Sequence, residues 1–318
     1  MKSKHAKGKK NNESVGVDKE NIGMLKTKCN VLRFVNPAGK NLCFSNTAMS
    51  CILNIPSIKQ FAENHKRNRK RYSIITEMSK LTKLHNFSTT STEKIRSIVQ
   101  QRCFEAGQWT KSFDDNKQHD AGEFLLSLIE HLWNEEEIPI SFKEKLFGGL
   151  CQNILECTCG YKEELQVHPL PAVIPIQIIG EDIQTCFENY FLSEDVDWEC
   201  PKCPQSKVRK HSFLIAEPEV LILQLMRYNF DDTEQKVKKI HKDIISPTSF
   251  NLQSGTRYSL HSVINHNGEN TQSGHYNLAL LEPEMQKCIL LDDENISFVD
   301  NLHEKVKSIS YISIYVAE

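Results

Sequence analysis

At 318 residues the chain is long enough to bury a large core, and one large domain, or one domain with an inserted lobe, is expected. Its formal net charge of -2 excludes the strongly basic footprint of a general nucleic-acid binder. No apolar run approaches the roughly 20 residues needed to cross a bilayer, and the first residues carry no apolar stretch of signal-peptide type. The expectation is a soluble protein of the cytosol or nucleus, with neither nucleic acid nor membrane as a partner. In such a reducing compartment, cysteines in short pairs read as metal ligands or catalytic groups rather than disulfides. Two of the eleven cysteines pair as Cys157 and Cys159, and two more as Cys200 and Cys203.

Residues 1–28 are lysine-rich with almost no apolar content, the composition of a disordered tail. A globular pattern begins near Val31. Residues 44–53 read as a short helix that must stop before Pro56. The basic run His65-Lys-Arg-Asn-Arg-Lys-Arg71 reads either as a solvated helix face or as a nuclear-import signal. After Gln118, the residues Ala121, Phe124, Leu125, Leu128, Ile129 and Leu132 fall on one apolar helical stripe. Past Phe147 the character changes: Pro169, Pro171 and Pro175 exclude helix, and the cysteine pairs bracket strand-like and loop-like text. Val220-Leu-Ile-Leu-Gln-Leu-Met-Arg-Tyr228 is nearly continuous apolar, as in a strand buried on both faces. Short strands are expected at 258–265, 275–281, 288–291, 296–299 and 309–316. Helices, then a cysteine-bearing insertion, then a mainly antiparallel sheet make an α+β fold.

Three constellations carry chemistry. In Gly39-Lys-Asn-Leu-Cys43-Phe-Ser-Asn46, a thiol sits at a helix start, where free N–H groups and partial positive charge favour a thiolate. Asn41 is the expected N-cap, and the same N–H groups suit an oxyanion; the alternative is a buried structural cysteine. In Ser273-Gly-His275-Tyr276 and Leu291-Asp292-Asp293, His275 supplies a base and Asp292 its orienting group. They meet if 275–281 and 288–291 pair as neighbouring strands; the alternative is a strand-start histidine and a turn. The third is the quartet Cys157, Cys159, Cys200 and Cys203, which suits a four-thiolate zinc site. Its one-residue spacer at Thr158 is unusual, so Cys151 or Cys186 could replace a ligand, and a metal-free finger is the alternative.

Together these segments resemble the ubiquitin-specific protease family over nearly all of 30–318. The stretch 39–46 looks like that family's cysteine box, and Gln118-His-Asp120-Ala-Gly-Glu123-Phe124 looks like its Gln-Asp-Ala box. Residues 220–228 are similar to the strand after the fingers. Tyr258-Ser-Leu-His-Ser-Val-Ile-Asn-His266 and 273–276 look like its histidine box, and Tyr311-Ile-Ser-Ile-Tyr315 is similar to its closing strand. The resemblance implies a papain-like cysteine protease fold over 29–318, with a helical thumb (about 29–145), zinc-binding fingers (about 146–215) and a β-rich palm (about 216–318). It implies a deubiquitinase that hydrolyses the bond after the C-terminal Gly-Gly of ubiquitin through a thioester. Cys43, His275 and Asp292 would be its triad, with Asp293 the fallback, and Gln118, Asp120, Gly274 and Tyr276 would bind the ubiquitin tail. Structural Zn2+ is the one cofactor implied, and ubiquitin and ubiquitinated proteins are the partners. Ala38 stands five residues before Cys43, where the family usually has an oxyanion asparagine; Asn36 or Asn41 is expected to compensate. A ubiquitin-binding protein with little catalysis, or a protease for another modifier such as SUMO, is the alternative.

Overall fold

The computed structural model describes residues 31–32, 34–65, 73–84, 94–98, 113, 117–231, 233, 235–270, 273–282, 287–299 and 306–318. The tail expected at 1–28, and all but the first residue of the basic run at 65–71, lie outside them. The elements below all belong to one unit, Leu32–Glu318.

Helices come first, and among the described residues they include α1 (Cys43–Leu53), α2 (Pro56–Asn64), α3 (Ile74–Leu84), α4 (Ala121–Asn134) and α5 (Ile140–Phe147). Every residue of α1 is buried, so its polar side chains need internal partners. Ser45 Oγ bonds Leu42 O at 3.0 Å, and Asn46 is bonded by partners described below. Helix α1 stops because Pro56 opens α2 at its first turn, where a missing N–H costs nothing. The apolar stripe of α4 is buried as its spacing requires. Phe44 of α1 meets Phe124 of α4 edge-on at 5.6 Å, with Phe113 and His119 closing the aromatic cluster.

The chain then builds β1 (Leu150–Glu156), β2 (Lys162–Glu164), β3 (His168–Pro169), β4 (Ile174–Ile176), α6 (Ile183–Tyr190), β5 (Glu194–Asp197) and β6 (Lys207–Ala216). Strands β2-β1-β6-β5 form one antiparallel sheet with β3 beside β1. Within the span expected as fingers, β4 and α6 belong elsewhere. Strand β4 pairs in parallel with β7 (Val220–Leu225), and α6 packs Ile183, Cys186 and Phe187 into the larger core.

The larger sheet adds β10 (Ser249–Asn251), β11 (Arg257–Asn270), β12 (Ser273–Glu282), β13 (Lys287–Asp292), β14 (Asn295–Val299) and β15 (Ser310–Ala317). Its order is β14-β13-β12-β11-β15-β7-β4, with β10 on β11, and β4 makes the one parallel pairing among these strands. A separate hairpin, β8 (Tyr228–Asp231) with β9 (Lys236–Lys239), follows β7. The apolar run 220–228 is therefore not one strand. It breaks at Met226 and Arg227, because the Arg227 side chain turns inward and is 1% exposed. Its guanidinium donates to the carbonyls of Ser310 (2.5 Å), Ile240 (3.0 Å) and Lys242 (2.8 Å), which satisfies a buried cation. Helix α1 lies along β11 and β12, tied by His261 Nε2 to Asn54 O at 3.0 Å. No helix among the described residues is long and apolar enough to cross a membrane.

Candidate active site

Residues 37–40 form a tight turn: Lys40 N donates to Pro37 O at 3.1 Å, and Gly39 takes φ +79° at its third position. That value requires glycine or a residue that tolerates the left-handed region. Asn41 follows at φ +52°, so it is not the N-cap. Leu42 holds the cap position without a side-chain cap, and Cys43 is the first residue of α1. Asn36 anchors this cap residue from further back, because Leu42 N donates to Asn36 Oδ1 at 3.1 Å. Helix geometry leaves the N–H groups of the first turn, that of Cys43 included, without intrahelical partners. They point where an anion is stabilised.

Strand pairing brings the second half of the site to the same place. Leu278 pairs with Leu291 across β12 and β13, so the register carries Asp292 opposite Asn277, and His275 follows two residues further along β12 on the same face. His275 Nε2 and Asp292 Oδ1 are 2.5 Å apart. The Cys43 thiol lies beside the His275 ring and is the largest cause of its raised pKa. With Nε2 turned to the carboxylate, Nδ1 is the nitrogen left for sulfur. The Cys43 thiol, more than the Asp292 carboxylate and against partial desolvation, raises His275 to about 9. Such a ring is an imidazolium at neutral pH. Three residues separated by 232 and 17 positions in the sequence thus meet around one imidazole, with Cys43 buried and the other two half-exposed.

Asp293 does not share this role. It turns away at φ +51° and accepts from Asn36 Nδ2 (2.9 Å) and Asn46 Nδ2 (2.8 Å). Its carboxylate ties the loop before Cys43, helix α1 and the β13–β14 turn together. Burial raises its pKa, and the two amides oppose that shift. Asn36 therefore uses its oxygen on Leu42 and a donor on Asp293.

Gln118 and Asp120 lie beside the histidine strand. Gln118 Oε1 accepts from Gly274 N at 2.7 Å. Gly274 has φ +148°, and a Cβ there would lie 2.4 Å from His266 Nε2 and 2.6 Å from Asn267 O. A side chain is excluded at this position on both counts. Asp120 caps α4 through Oδ1, from Gly122 N (2.8 Å) and Glu123 N (3.0 Å). Its Oδ2 accepts from Tyr311 (2.8 Å) and Tyr276 (3.2 Å). Burial first and the Asp120 charge second push both phenols well above their ordinary range. A carboxylate has about four acceptor sites, and all four are used here; a direct contact from Asp120 to a basic ligand would displace one of these donors.

The cysteine quartet lies in the other sheet. Cys157 to Cys159 occupy the turn between β1 and β2, where Gly160 N bonds Cys157 O at 2.9 Å. Cys200 and Cys203 flank the turn between β5 and β6, which Cys200 N closes on Gln205 O at 3.0 Å. The four sulfurs lie within 4.8 Å of one another, with Cys157 to Cys203 at 3.5 Å and Cys159 to Cys200 at 3.7 Å. A tetrahedral zinc with Zn–S near ~2.3 Å needs sulfurs about 3.8 Å apart, so these thiols can hold a metal. Cys151 and Cys186 are not part of the cluster; both are buried in the core of the larger sheet.

The sequence reading missed several residues around His275. Tyr228 shares a 2.6 Å hydrogen bond with His266 Nδ1, and the His266 ring lies 4.4 Å from that of Tyr276. Gln224 Nε2 donates to Tyr311 Oη at 2.7 Å. These residues stand in segments already recognised by their similarity, but their contacts depend on strand register rather than on spacing.

Comparison with known proteins agrees with this geometry. The profile of the ubiquitin carboxyl-terminal hydrolase family matches residues 35–315. A probable ubiquitin carboxyl-terminal hydrolase 8 of Schizosaccharomyces pombe is 28% identical over 65% of this chain and 47% of its own length. Ubiquitin carboxyl-terminal hydrolase 25 of Arabidopsis thaliana is 22% identical over 86% of this chain and 46% of its own. The chain thus spans about half the length of these curated relatives. Among solved structures, a chain of the SAGA DUB module bound to ubiquitin aldehyde superposes with a TM-score of 0.74 at 16% identity, covering 94% of this chain and 74% of that one. The same module bound to monoubiquitin gives 0.73 at 17% identity with the same coverage, which establishes the fold. By the extent of the profile match, this chain belongs to the ubiquitin carboxyl-terminal hydrolase family.

Proposed function

We propose that the chain is a deubiquitinase that cleaves after the C-terminal Gly-Gly of ubiquitin through a thioester on Cys43. The placement of the Cys43 thiol beside a His275 ring that is itself bonded to Asp292 is the observation that carries this reading. A His275 imidazolium beside the Cys43 sulfur is a proton donor already in place for the leaving group. Cys43 Sγ attacks the glycine carbonyl, and the oxyanion is received at the first turn of α1 by the Cys43 N–H. His275 then gives its proton to the leaving lysine amine, and the thioester forms as the C–N bond breaks. Water, deprotonated by His275, attacks the thioester and releases the ubiquitin carboxylate and the Cys43 thiol. Asp292 keeps the ring in the required orientation throughout.

Ala38, at the turn before α1, offers no side-chain donor. Asn36 is anchored between Leu42 and Asp293 and supports the oxyanion site by fixing the loop. Asn41, in the strained turn, stands as the nearer candidate donor. Losing one donor costs roughly 10²- to 10³-fold in rate, and a competent but slow enzyme is the reading that fits. Gln118, Gly274, Tyr276 and the carboxylate of Asp120 shape a passage for a chain end without side chains, and Gly-Gly meets that requirement. The quartet of thiols would hold structural zinc and cross-link two hairpin turns. Solved relatives of the same fold are described as bound to ubiquitin, which supports ubiquitin as the partner.

The test is hydrolysis of a ubiquitin-amide reporter by the wild-type chain and by Cys43→Ser. The wild type should be faster by at least ~10³-fold. Equal rates would leave a ubiquitin-binding protein without catalysis. Parallel reporters built on ubiquitin and on SUMO check the substrate, and turnover of the SUMO reporter alone would reassign it.

A further inference from the structure

We propose that Lys239 and Tyr228, on the β8–β9 hairpin, are positioning residues for His275. They act through the crossover between β11 and β12. This inference rests on the catalytic reading above, since it assigns the part that sets the base against the thiol.

Pairing of β11 with β12 is irregular between Asn267 and Asn270, just opposite the start of the histidine strand, and Asn267 pairs with His275 itself. The two glycines there pack backbone on backbone. A Cβ on Gly268 would lie 2.3 Å from Ser273 O and 2.7 Å from Gly274 Cα. The path of His275 is therefore set by how closely 266–268 approaches 273–274. Ladder pairing with Asn267 and the Gln118 bond to Gly274 N hold the β12 side of this contact, but the glycines bring no side chains that would hold the β11 side.

The hairpin supplies the missing constraint. Lys239 Nζ donates to His266 O at 2.9 Å and to Gly268 O at 2.7 Å, gripping with one ammonium the residues on either side of Asn267, where the irregular step begins. Tyr228 Oη holds His266 Nδ1 at 2.6 Å, and this leaves His266 Nε2 against Gly274. Strands β8 and β9 set the two anchors directly opposite one another, since Tyr228 pairs with Lys239. One rung of a hairpin thus fixes both the backbone and the ring on which Gly274 rests. His241 Nε2 and Glu269 Oε2, 3.1 Å apart, add an exposed contact between the same two segments. Burial and the nearby Lys239 and His275 charges push His266 down to about 4, so its ring stays neutral and serves as a support rather than as a second base.

The experiment compares wild type, Lys239→Met, Lys239→Arg and Tyr228→Phe by two readouts. The first is alkylation of Cys43 by iodoacetamide across pH, which needs no ubiquitin. The second is the kcat and KM of the ubiquitin-amide reporter. A displaced His275 no longer assists the thiol, so Lys239→Met should slow alkylation at neutral pH several-fold. The same variant should lower kcat by about 10- to 100-fold with KM within about twofold. Tyr228→Phe should shift both readouts the same way by a smaller factor, and Lys239→Arg should recover most of the loss. A Lys239→Met or Tyr228→Phe chain that folds, alkylates like wild type and loses only KM would overturn the proposal. If Lys239→Met does not fold, a wild-type alkylation profile in Tyr228→Phe overturns it equally. Absence of reporter turnover in the wild type refutes the deubiquitinase reading instead, while the alkylation comparison still decides this one.

Discussion

The two sulfur sites are built on opposite plans. The quartet of thiols is local: each pair sits in one tight turn, and the sheet has only to bring two neighbouring turns together. The Cys43 site is global, because a helix start, a strand start and a strand end meet only after the helices have packed on the larger sheet. A local site can be loosened at its own tip with the rest of the sheet standing. A global site fails when any of three distant contacts slips, even with all three side chains present. Catalysis should therefore respond to residues that touch no substrate, whereas metal binding should respond almost only to the ligands.

The sharpest break of this contrast is Asp292→Asn. It keeps the shape but loses the charge that orients and stabilises the imidazolium, and the turnover of the ubiquitin reporter should fall by about 10²- to 10⁴-fold. Zinc content should not change. A loss below threefold would remove Asp292 from the triad.

Next in size is replacement of both Cys200 and Cys203 by serine. Elemental analysis should fall from about one zinc per chain to none, and thermal unfolding should begin earlier, since binding energy of a structural metal is folding energy. Alkylation of Cys43 at neutral pH should stay within about twofold. A folded wild-type chain without metal would refute the zinc assignment.

Asp293→Ala tests the clamp at the global site. Removing a charged acceptor of two amides should destabilise the chain by about 1.5–3 kcal/mol in denaturant unfolding. It should lower kcat less than Asp292→Asn does. The reverse order would make Asp293 the orienting group.

The smallest effect is the pH profile. His275 lies at about 9, above its ordinary 6.5, because it gains the Cys43 thiol and the Asp292 carboxylate as neighbours. The stability contributed by this contact is complete below about 6.5 and is lost as pH rises through about 9. Deprotonation also removes the proton donor, so kcat/KM should decline with a midpoint near pH 9. A profile flat to pH 10 would contradict it.

The difference between local and global also explains what the sequence made legible. The stripe of α4 and the strands carrying His275 and Asp292 follow from periodicity, and pairing 275–281 with 288–291 suffices to bring that histidine and aspartate together. Chain order then points to Cys43. The cap of α1 is expected at Asn41, but with two left-handed residues before it the helix starts after Leu42, whose N–H Asn36 anchors from six positions away. Asp120 followed by Glu123 carries a helix-start signature, but its two tyrosine partners are 156 and 191 residues distant. No local pattern marks such contacts. The break at Arg227 is hidden for the same reason, because its carbonyl partners belong to other segments.

The most direct measurement is mass spectrometry of the chain after exposure to ubiquitin carrying a C-terminal electrophile. One ubiquitin should be attached, mapped to Cys43, and Cys43→Ser should acquire none. A wild-type chain left unmodified, or modified on another cysteine, would contradict the account.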